Sequence, residues 1–93
     1  MSEYSGKTIR KNEDNFVETD VDGERLIMRV DEGYFYTLNP TGDALWSGID
    51  TEPAVDRLYA KIAKDFSVDP AICTPDLDEL LADLEKNALV TLV

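Results

Sequence analysis

The alternation of apolar and polar residues predicts three consecutive strands in the first half of the chain. The segment FVETDV alternates from Phe16, and ERLIMRV follows after the two-residue turn Asp22-Gly23, a pattern typical of a β-hairpin. A second turn at 31–33 leads into YFYTLN, which completes a three-stranded antiparallel meander. The alternation favours one face that carries Leu26, Met28, Val30, Tyr34, Tyr36 and Leu38, and another that carries Ile27 and Phe35. Both faces therefore carry apolar groups, and one of them is expected to be incompletely covered.

Helical spacing and capping residues predict three helices after the strands. The first starts at Asn39-Pro40 and ends near Asp50, the second starts at Thr51, and the third starts at Thr74-Pro75. One apolar face of the second helix consists of Val55, Leu58, Tyr59, Ile62 and Phe66, and that of the third of Leu77, Leu80, Leu81, Leu84 and Ala88. The segment SVDPAICTP between them is predicted to be a loop, and the terminal LVTLV either ends the last helix or adds an edge strand.

The order of these elements indicates the fold class. Three antiparallel strands followed by three helices make an α+β domain, and winged-helix-like domains share this order. Residues 1–13 are polar, without a sustained apolar period, and are predicted to be a flexible tail. Residues 14–93 then form a single domain, since a chain of 93 residues closes around one modest core.

Composition removes several functional classes. The chain has 20 acidic and 9 basic residues, so its net charge of -11 opposes binding to nucleic acid. It has no histidine, which excludes imidazole metal sites and the usual nucleophile–base pairs. One cysteine, no signal sequence and no apolar run of membrane-spanning length predict a cytoplasmic protein that does not bind membranes. We expect no catalytic residue, no metal and no cofactor, and therefore no enzyme.

Three features of the sequence are candidate sites of chemistry. The acidic residues of the third helix resemble paired carboxylates or cation ligands, but their order lacks calcium-loop spacing and favours a solvated face. Cys73 has no histidine to activate it and is predicted to be a semi-buried thiol in the loop. The aromatic run at 34–36 either packs between two covered faces or lies at a sheet edge where an extended peptide can add a strand.

The stretch GYFYTLNPTGDALW is similar to the pattern Gly-x-Tyr/Phe-x-Leu-Asn-x-Thr-Gly-x-x-aliphatic-Trp of the PqqD-like family. The matching residues are Gly33, Tyr36, Leu38, Asn39, Thr41, Gly42, Leu45 and Trp46. The segment DLDELLADLEKNALV looks like the ending of the same family, and the resemblance spans roughly residues 15–93. PqqD-like proteins are recognition elements for the precursors of ribosomally made, modified natural products.

The resemblance implies a winged-helix-like fold and a non-catalytic role. The leader segment of a precursor peptide would be captured as an added strand beside the third strand and the third helix. It would then be presented to a tailoring enzyme, such as a radical SAM enzyme of pyrroloquinoline quinone assembly or a leader peptidase of lasso peptide assembly. The implied peptide-binding residues are Tyr34, Phe35, Tyr36, Thr37, Leu38, Asp76, Leu77, Leu80, Leu81, Asp83 and Leu84.

Some questions stay open at this level. One sequence does not decide which flank of the third helix lines the groove, or whether the protein is a monomer or a weak dimer. A winged-helix regulator that binds DNA and a carrier of a small-molecule cofactor are alternative functions. Asn87 replaces the glycine usual in the family, and asparagine also tolerates the left-handed conformation at a helix end. The acidity of the third helix predicts a leader with lysine or arginine near its apolar anchors.

Overall fold

A computed structural model describes residues 2–33 and 35–93. A three-stranded meander is followed by three helices, and one short strand before the meander pairs with another after the last helix. The three-stranded sheet has the order β2-β3-β4, and β1 pairs with β5. This architecture confirms the predicted α+β class, with the meander before the helices. The elements are β1 Ile9–Lys11, a 3-10 turn Glu13–Asn15, β2 Phe16–Val21, β3 Glu24–Arg29, β4 Phe35–Thr37, α1 Pro40–Gly48, α2 Val55–Asp65, α3 Pro70–Lys86 and β5 Val90–Leu92.

The hairpin between β2 and β3 forms where the sequence predicts it. Asp22 and Gly23 have φ angles of 54° and 84°, and two positive values in a two-residue loop are typical of a type I′ turn. The third strand, β4, is shorter than predicted and covers Phe35–Thr37. Tyr34, which was predicted to begin it, lies outside the described residues.

The faces of the sheet differ from the prediction. The register places Ile27 opposite Tyr36 and Met28 opposite Phe35, and residues directly opposite each other share a face. Ile27 is fully buried, so its face, with Tyr36, is turned to the core. Leu26 and Met28 belong to the outer face, and their predicted grouping with Tyr36 is wrong. Alternation assigns side chains within one strand, whereas the register set by the turn relates one strand to the next.

The segment predicted to be a tail takes part in the fold. Strand β1 pairs antiparallel with β5 at the other end of the chain, and Ile9 and Tyr4 are buried in the core. The prediction of a flexible tail over residues 1–13 is therefore wrong where β1 and the buried Tyr4 lie. A three-residue strand with one apolar side chain shows no alternation in sequence, and its partner is a distant segment. The terminal LVTLV forms that partner strand, which settles the alternative left open there.

The first helix starts as predicted and the second starts later. Asn39 Oδ1 accepts a hydrogen bond from the Gly42 N–H at 2.7 Å, and Pro40 occupies the first turn of α1. Helix α2 begins at Val55 without a side-chain cap, so the predicted start at Thr51 is wrong. The chain before it is extended and bonded to the N-terminal segment, since Pro53 C=O accepts from the Ile9 N–H at 2.8 Å.

Helix α3 starts one turn earlier than predicted. Asp69 caps it by accepting a hydrogen bond from the Ala71 N–H at 2.9 Å, and Pro70 fits the first turn. Pro75 lies inside the helix, and the predicted loop across Pro70–Pro75 is wrong. Cys73 accordingly lies on α3, where burial raises the pKa of its thiol. At the other end, Ala88 and not Asn87 takes the left-handed conformation, with φ 59°.

The core lies between the inner face of the sheet and the three helices. Trp46 of α1 is fully buried at its centre, and its ring meets that of Phe16 edge to face at a centroid distance of 5.0 Å. The apolar stripe of α2 is buried as predicted except for Phe66, which is 40% exposed just past the helix. Along α3, Leu77, Leu81 and Leu84 are buried, while Leu80 is half-buried beside the sheet.

Candidate functional site

A groove runs between the end of β4, the start of α1 and one flank of α3. It has a volume of about 260 Å³. Three leucine side chains form an apolar part of it, and polar side chains, including one carboxylate, stand beside them. The residues that line it are Thr37, Leu38, Asn39, Thr41, Gly42, Asp76, Leu77 and Leu80.

Gly42 makes the groove compact. A Cβ atom at this position would lie 3.2 Å from Asn39 Oδ1 and 3.3 Å from Leu80 Cδ2, closer than most carbon contacts. The absence of a side chain therefore lets the first turn of α1 pack against α3. Asn39 holds the same turn through its cap to the Gly42 N–H. Asn39 and Gly42, two of the residues that match the PqqD-like sequence pattern, thus shape one wall of the groove.

The structure decides which flank of α3 borders the groove. Asp76 and Leu80 line it, and at about 100° per residue Asp83 falls on the same flank. Asp78 points to the opposite side, where it accepts hydrogen bonds from Ser2 Oγ at 2.6 Å and Tyr59 Oη at 2.8 Å. Burial and the Asp78 carboxylate raise the pKa of Tyr59.

Two of the predicted peptide-binding residues lie away from the groove. Leu81 is fully buried and Leu84 is 2% exposed, so both face the core of the domain. They occupy the centre of the apolar stripe of α3, whereas Leu80 stands at its edge. Leu77 is also buried, yet it forms part of the groove floor. Sequence spacing grouped these leucines together because it does not show where the stripe ends.

The charge beside the groove is negative. Asp76 and Asp83 are exposed, and among the described residues neither has an ion-pair partner. Two arginines of β3 are already paired with other carboxylates, because Arg25 bonds Asp43 at 2.5 Å and Arg29 bonds Asp31 at 2.6 Å. The groove therefore combines an apolar floor with carboxylates that are available to a cationic ligand.

The outer edge of β4 offers main-chain groups. In a two-residue hairpin the flanking residues, Val21 and Glu24, exchange hydrogen bonds, and hydrogen-bonded pairs then alternate along the strands. This alternation directs the main chain of Ile27 toward β4, so the N–H and C=O of its partner Tyr36 point back to β3. The corresponding groups of Phe35 and Thr37 point away from β3, toward the outer edge.

The described part of the chain contains no cluster of three potential metal ligands and no helix long and apolar enough to cross a membrane. What the site presents is a strand edge, an apolar floor and carboxylates, which are groups suited to binding an extended cationic chain.

Comparison with known proteins defines the family of this fold. The family model of coenzyme PQQ synthesis protein D (PqqD) matches residues 24–90, a range that includes β3, β4 and all three helices. The chain belongs to the PqqD family. This confirms the resemblance found in the sequence, and it places the whole groove within the part of the chain that PqqD proteins share. No curated protein matches the sequence.

A solved structure shares the fold. It is described as TbiB1 in complex with the TbiA(beta) leader peptide, and it superposes with a TM-score of 0.76 at 23% sequence identity. The alignment covers 87% of this chain and 94% of that chain, so the two domains correspond almost from end to end. The PqqD-type domain described here therefore has the same fold as a protein whose structure holds a leader peptide.

Proposed function

We propose that this protein is a non-catalytic module that binds the leader segment of a ribosomally synthesised precursor peptide. The leader adds as a strand to the outer edge of β4, and its inward side chains enter the groove beside α3. The observation that carries the proposal is the outward direction of the main-chain groups of Phe35 and Thr37 next to a groove with a leucine-lined floor. Membership of the PqqD family and the fold shared with a leader-bound protein support it.

The alternative functions fit the surface less well. Sites for drug-sized molecules enclose about 300–1,000 Å³ and bury most of the ligand, whereas this groove is smaller and continues into a strand edge. A small cofactor is therefore disfavoured as the occupant of this groove. DNA binding is disfavoured by the net charge of -11 and by the carboxylates on α3, the helix that would approach the phosphates.

The wider setting follows from this role. A module that holds a leader without changing it delivers the precursor to a tailoring enzyme, and a radical SAM enzyme or a leader peptidase is the class of partner we propose. The protein would act in the cytoplasm, where precursors are made, as a monomer or weak dimer.

Selection from a displayed library of random 15-residue peptides tests the proposal. We expect enriched peptides to combine apolar residues with lysine or arginine and to contain no proline at the positions that pair with β4. The tightest of them is called the reference peptide below. Failure to enrich any peptide above the unselected library, or enrichment of acidic peptides, would contradict the proposed function.

Binding of the reference peptide should depend on salt through Asp76 in the groove and Asp83 farther along the same flank of α3. Raising ionic strength from about 0.05 to about 0.5 M is expected to weaken binding about three- to tenfold, mainly through slower association. The double variant Asp76→Asn/Asp83→Asn should lose most of this dependence. Asp14→Asn/Asp65→Asn, which changes the net charge equally at exposed sites away from the groove, should retain it. Calorimetry and stopped-flow measurements check both, and equal behaviour of the two variants would contradict the role of Asp76 and Asp83.

A further inference from the structure

We infer that the bound peptide is also recognised on the other face of the sheet, through an apolar contact between one of its side chains and Phe35. The inference rests on the proposed function and adds a second specificity contact to it. A strand added beside β4 has side chains on both faces. Those on the inner face meet the groove, and those on the outer face have Phe35 as their neighbour.

The observation behind this contact is a row of apolar side chains across the outer face. The register aligns Val17 of β2 with Met28 of β3, and Met28 with Phe35 of β4. Phe35 is 66% exposed and Val17 51% exposed, so the row lies open to solvent at both ends. Within the described residues, β4 is the last strand of the sheet. A peptide strand would extend the row by one position, directly across from Phe35.

The two faces of the peptide would meet different chemistry. The groove side has the carboxylates of Asp76 and Asp83, whereas the outer face of the three strands carries one charged residue, Glu24, at the hairpin turn. An uncharged, apolar side chain suits the position beside Phe35. The outer-face residues are Val17, Thr19, Val21, Glu24, Leu26, Met28, Phe35 and Thr37, the last of which also borders the groove at the end of β4.

Strand geometry turns this into a rule for the ligand. Successive side chains of a strand point to opposite faces, so the residue beside Phe35 and the residue in the groove are separated by an odd number of positions. The ligand should therefore carry apolar residues at adjacent positions or three apart, with its basic residues on the groove side. A site formed by the groove alone would require apolar residues only at alternate positions of the peptide, either all odd or all even.

A bound peptide fits this face better than a second copy of the protein. Three strands spaced about 4.8 Å apart and about 20 Å long present roughly 200–300 Å² in projection, while a stable dimer needs about 800 Å² per partner. Two copies would also bring together net charges of -11 each. A single side chain of an added strand needs far less area, because the main-chain bonds to β4 hold it in place.

The test repeats the library selection with two variants that each remove one exposed apolar side chain from the same row. The wild-type protein and Val17→Thr are expected to enrich apolar residues at the groove-side position and at the outer-face position of the peptide. Phe35→Thr should keep the groove-side position and lose the enrichment at the outer one. The reference peptide should bind Phe35→Thr about three- to tenfold more weakly and Val17→Thr within about twofold of wild type.

A change in the peptide gives a measurement that does not depend on the folding of a variant. Replacing the outer-face residue of the reference peptide by threonine should weaken its binding to the wild-type protein about as much as Phe35→Thr does, and the two changes together should not add. An unchanged motif and unchanged affinity with Phe35→Thr would overturn the inference and leave the groove function intact. A selection in which the wild-type protein enriches nothing would overturn both.

Discussion

Leu80→Asp is expected to weaken binding of the reference peptide by about 100-fold while the domain remains folded. Leu80 is half-buried and stands at the edge of the apolar stripe, where it forms part of the groove without filling the core. An aspartate here replaces the apolar surface with a second carboxylate close to Asp76. Losses of this size are typical when a central anchor of an interface is removed.

Two control variants distinguish loss of the apolar groove contact from the effect of an added negative charge and from the effect of any substitution at Leu80. Ala71→Asp adds the same charge to α3 at an exposed position on the flank away from the groove, and should leave binding unchanged. Leu80→Met keeps the apolar volume and should cost no more than a few-fold. Affinity and circular dichroism are measured for all three. Wild-type affinity in a folded Leu80→Asp protein would show that the peptide does not use this groove.

Trp46→Ala is expected to lower the free energy of unfolding by about 3–5 kcal/mol. Trp46 is fully buried, packs edge to face on Phe16, and lies under Lys11 Nζ, which is 4.2 Å from the ring centroid. Its indole N–H also donates to the Glu18 carboxylate on β2. One side chain thus joins α1 to β1 and β2. The loss is large because the free energy of unfolding of a native protein is only about 5–15 kcal/mol in total.

Urea denaturation followed by circular dichroism measures this loss. Trp46→Phe keeps an aromatic ring but removes the indole donor, and should cost less than Trp46→Ala. Phe35→Ala removes an aromatic ring of similar size from an exposed position, and should change stability by less than about 1 kcal/mol. Equal effects of Trp46→Ala and Phe35→Ala would contradict the assignment of Trp46 to the core.

Local chemistry predicted much of this fold from the sequence. The Asp22-Gly23 hairpin and the Asn39-Pro40 helix start both formed, because each depends on a few adjacent residues. The start of α3 shows the limit of the same reasoning. Asp69-Pro70 and Thr74-Pro75 are equally good caps, and the structure uses the first while Pro75 lies inside the helix.

Features that depend on distant contacts were not predictable. The pairing of β1 with β5 joins the two ends of the chain, and no local pattern signals it. The assignment of faces failed for a related reason, since the register between β3 and β4 puts Ile27 with Tyr36. The extended chain at 52–54 delays α2 through bonds to the N-terminal segment.

The groove coincides in part with the residues predicted to bind a peptide. Thr37, Leu38, Asp76, Leu77 and Leu80 are both predicted and found in the groove, whereas Leu81 and Leu84 belong to the core. The sequence also indicated aromatic residues on both faces of the third strand. The structure separates two of them, because Tyr36 packs toward the core and Phe35 stands on the outer face.

Amide hydrogen exchange measured by NMR, with and without the reference peptide, tests the central proposal most directly. Strand addition to β4 should slow exchange of the Phe35 and Thr37 amides, whose N–H groups point to the outer edge. The Tyr36 amide, directed at β3, should exchange slowly in both states. Unchanged exchange at Phe35 and Thr37 in the saturated complex would contradict peptide capture by strand addition at this edge.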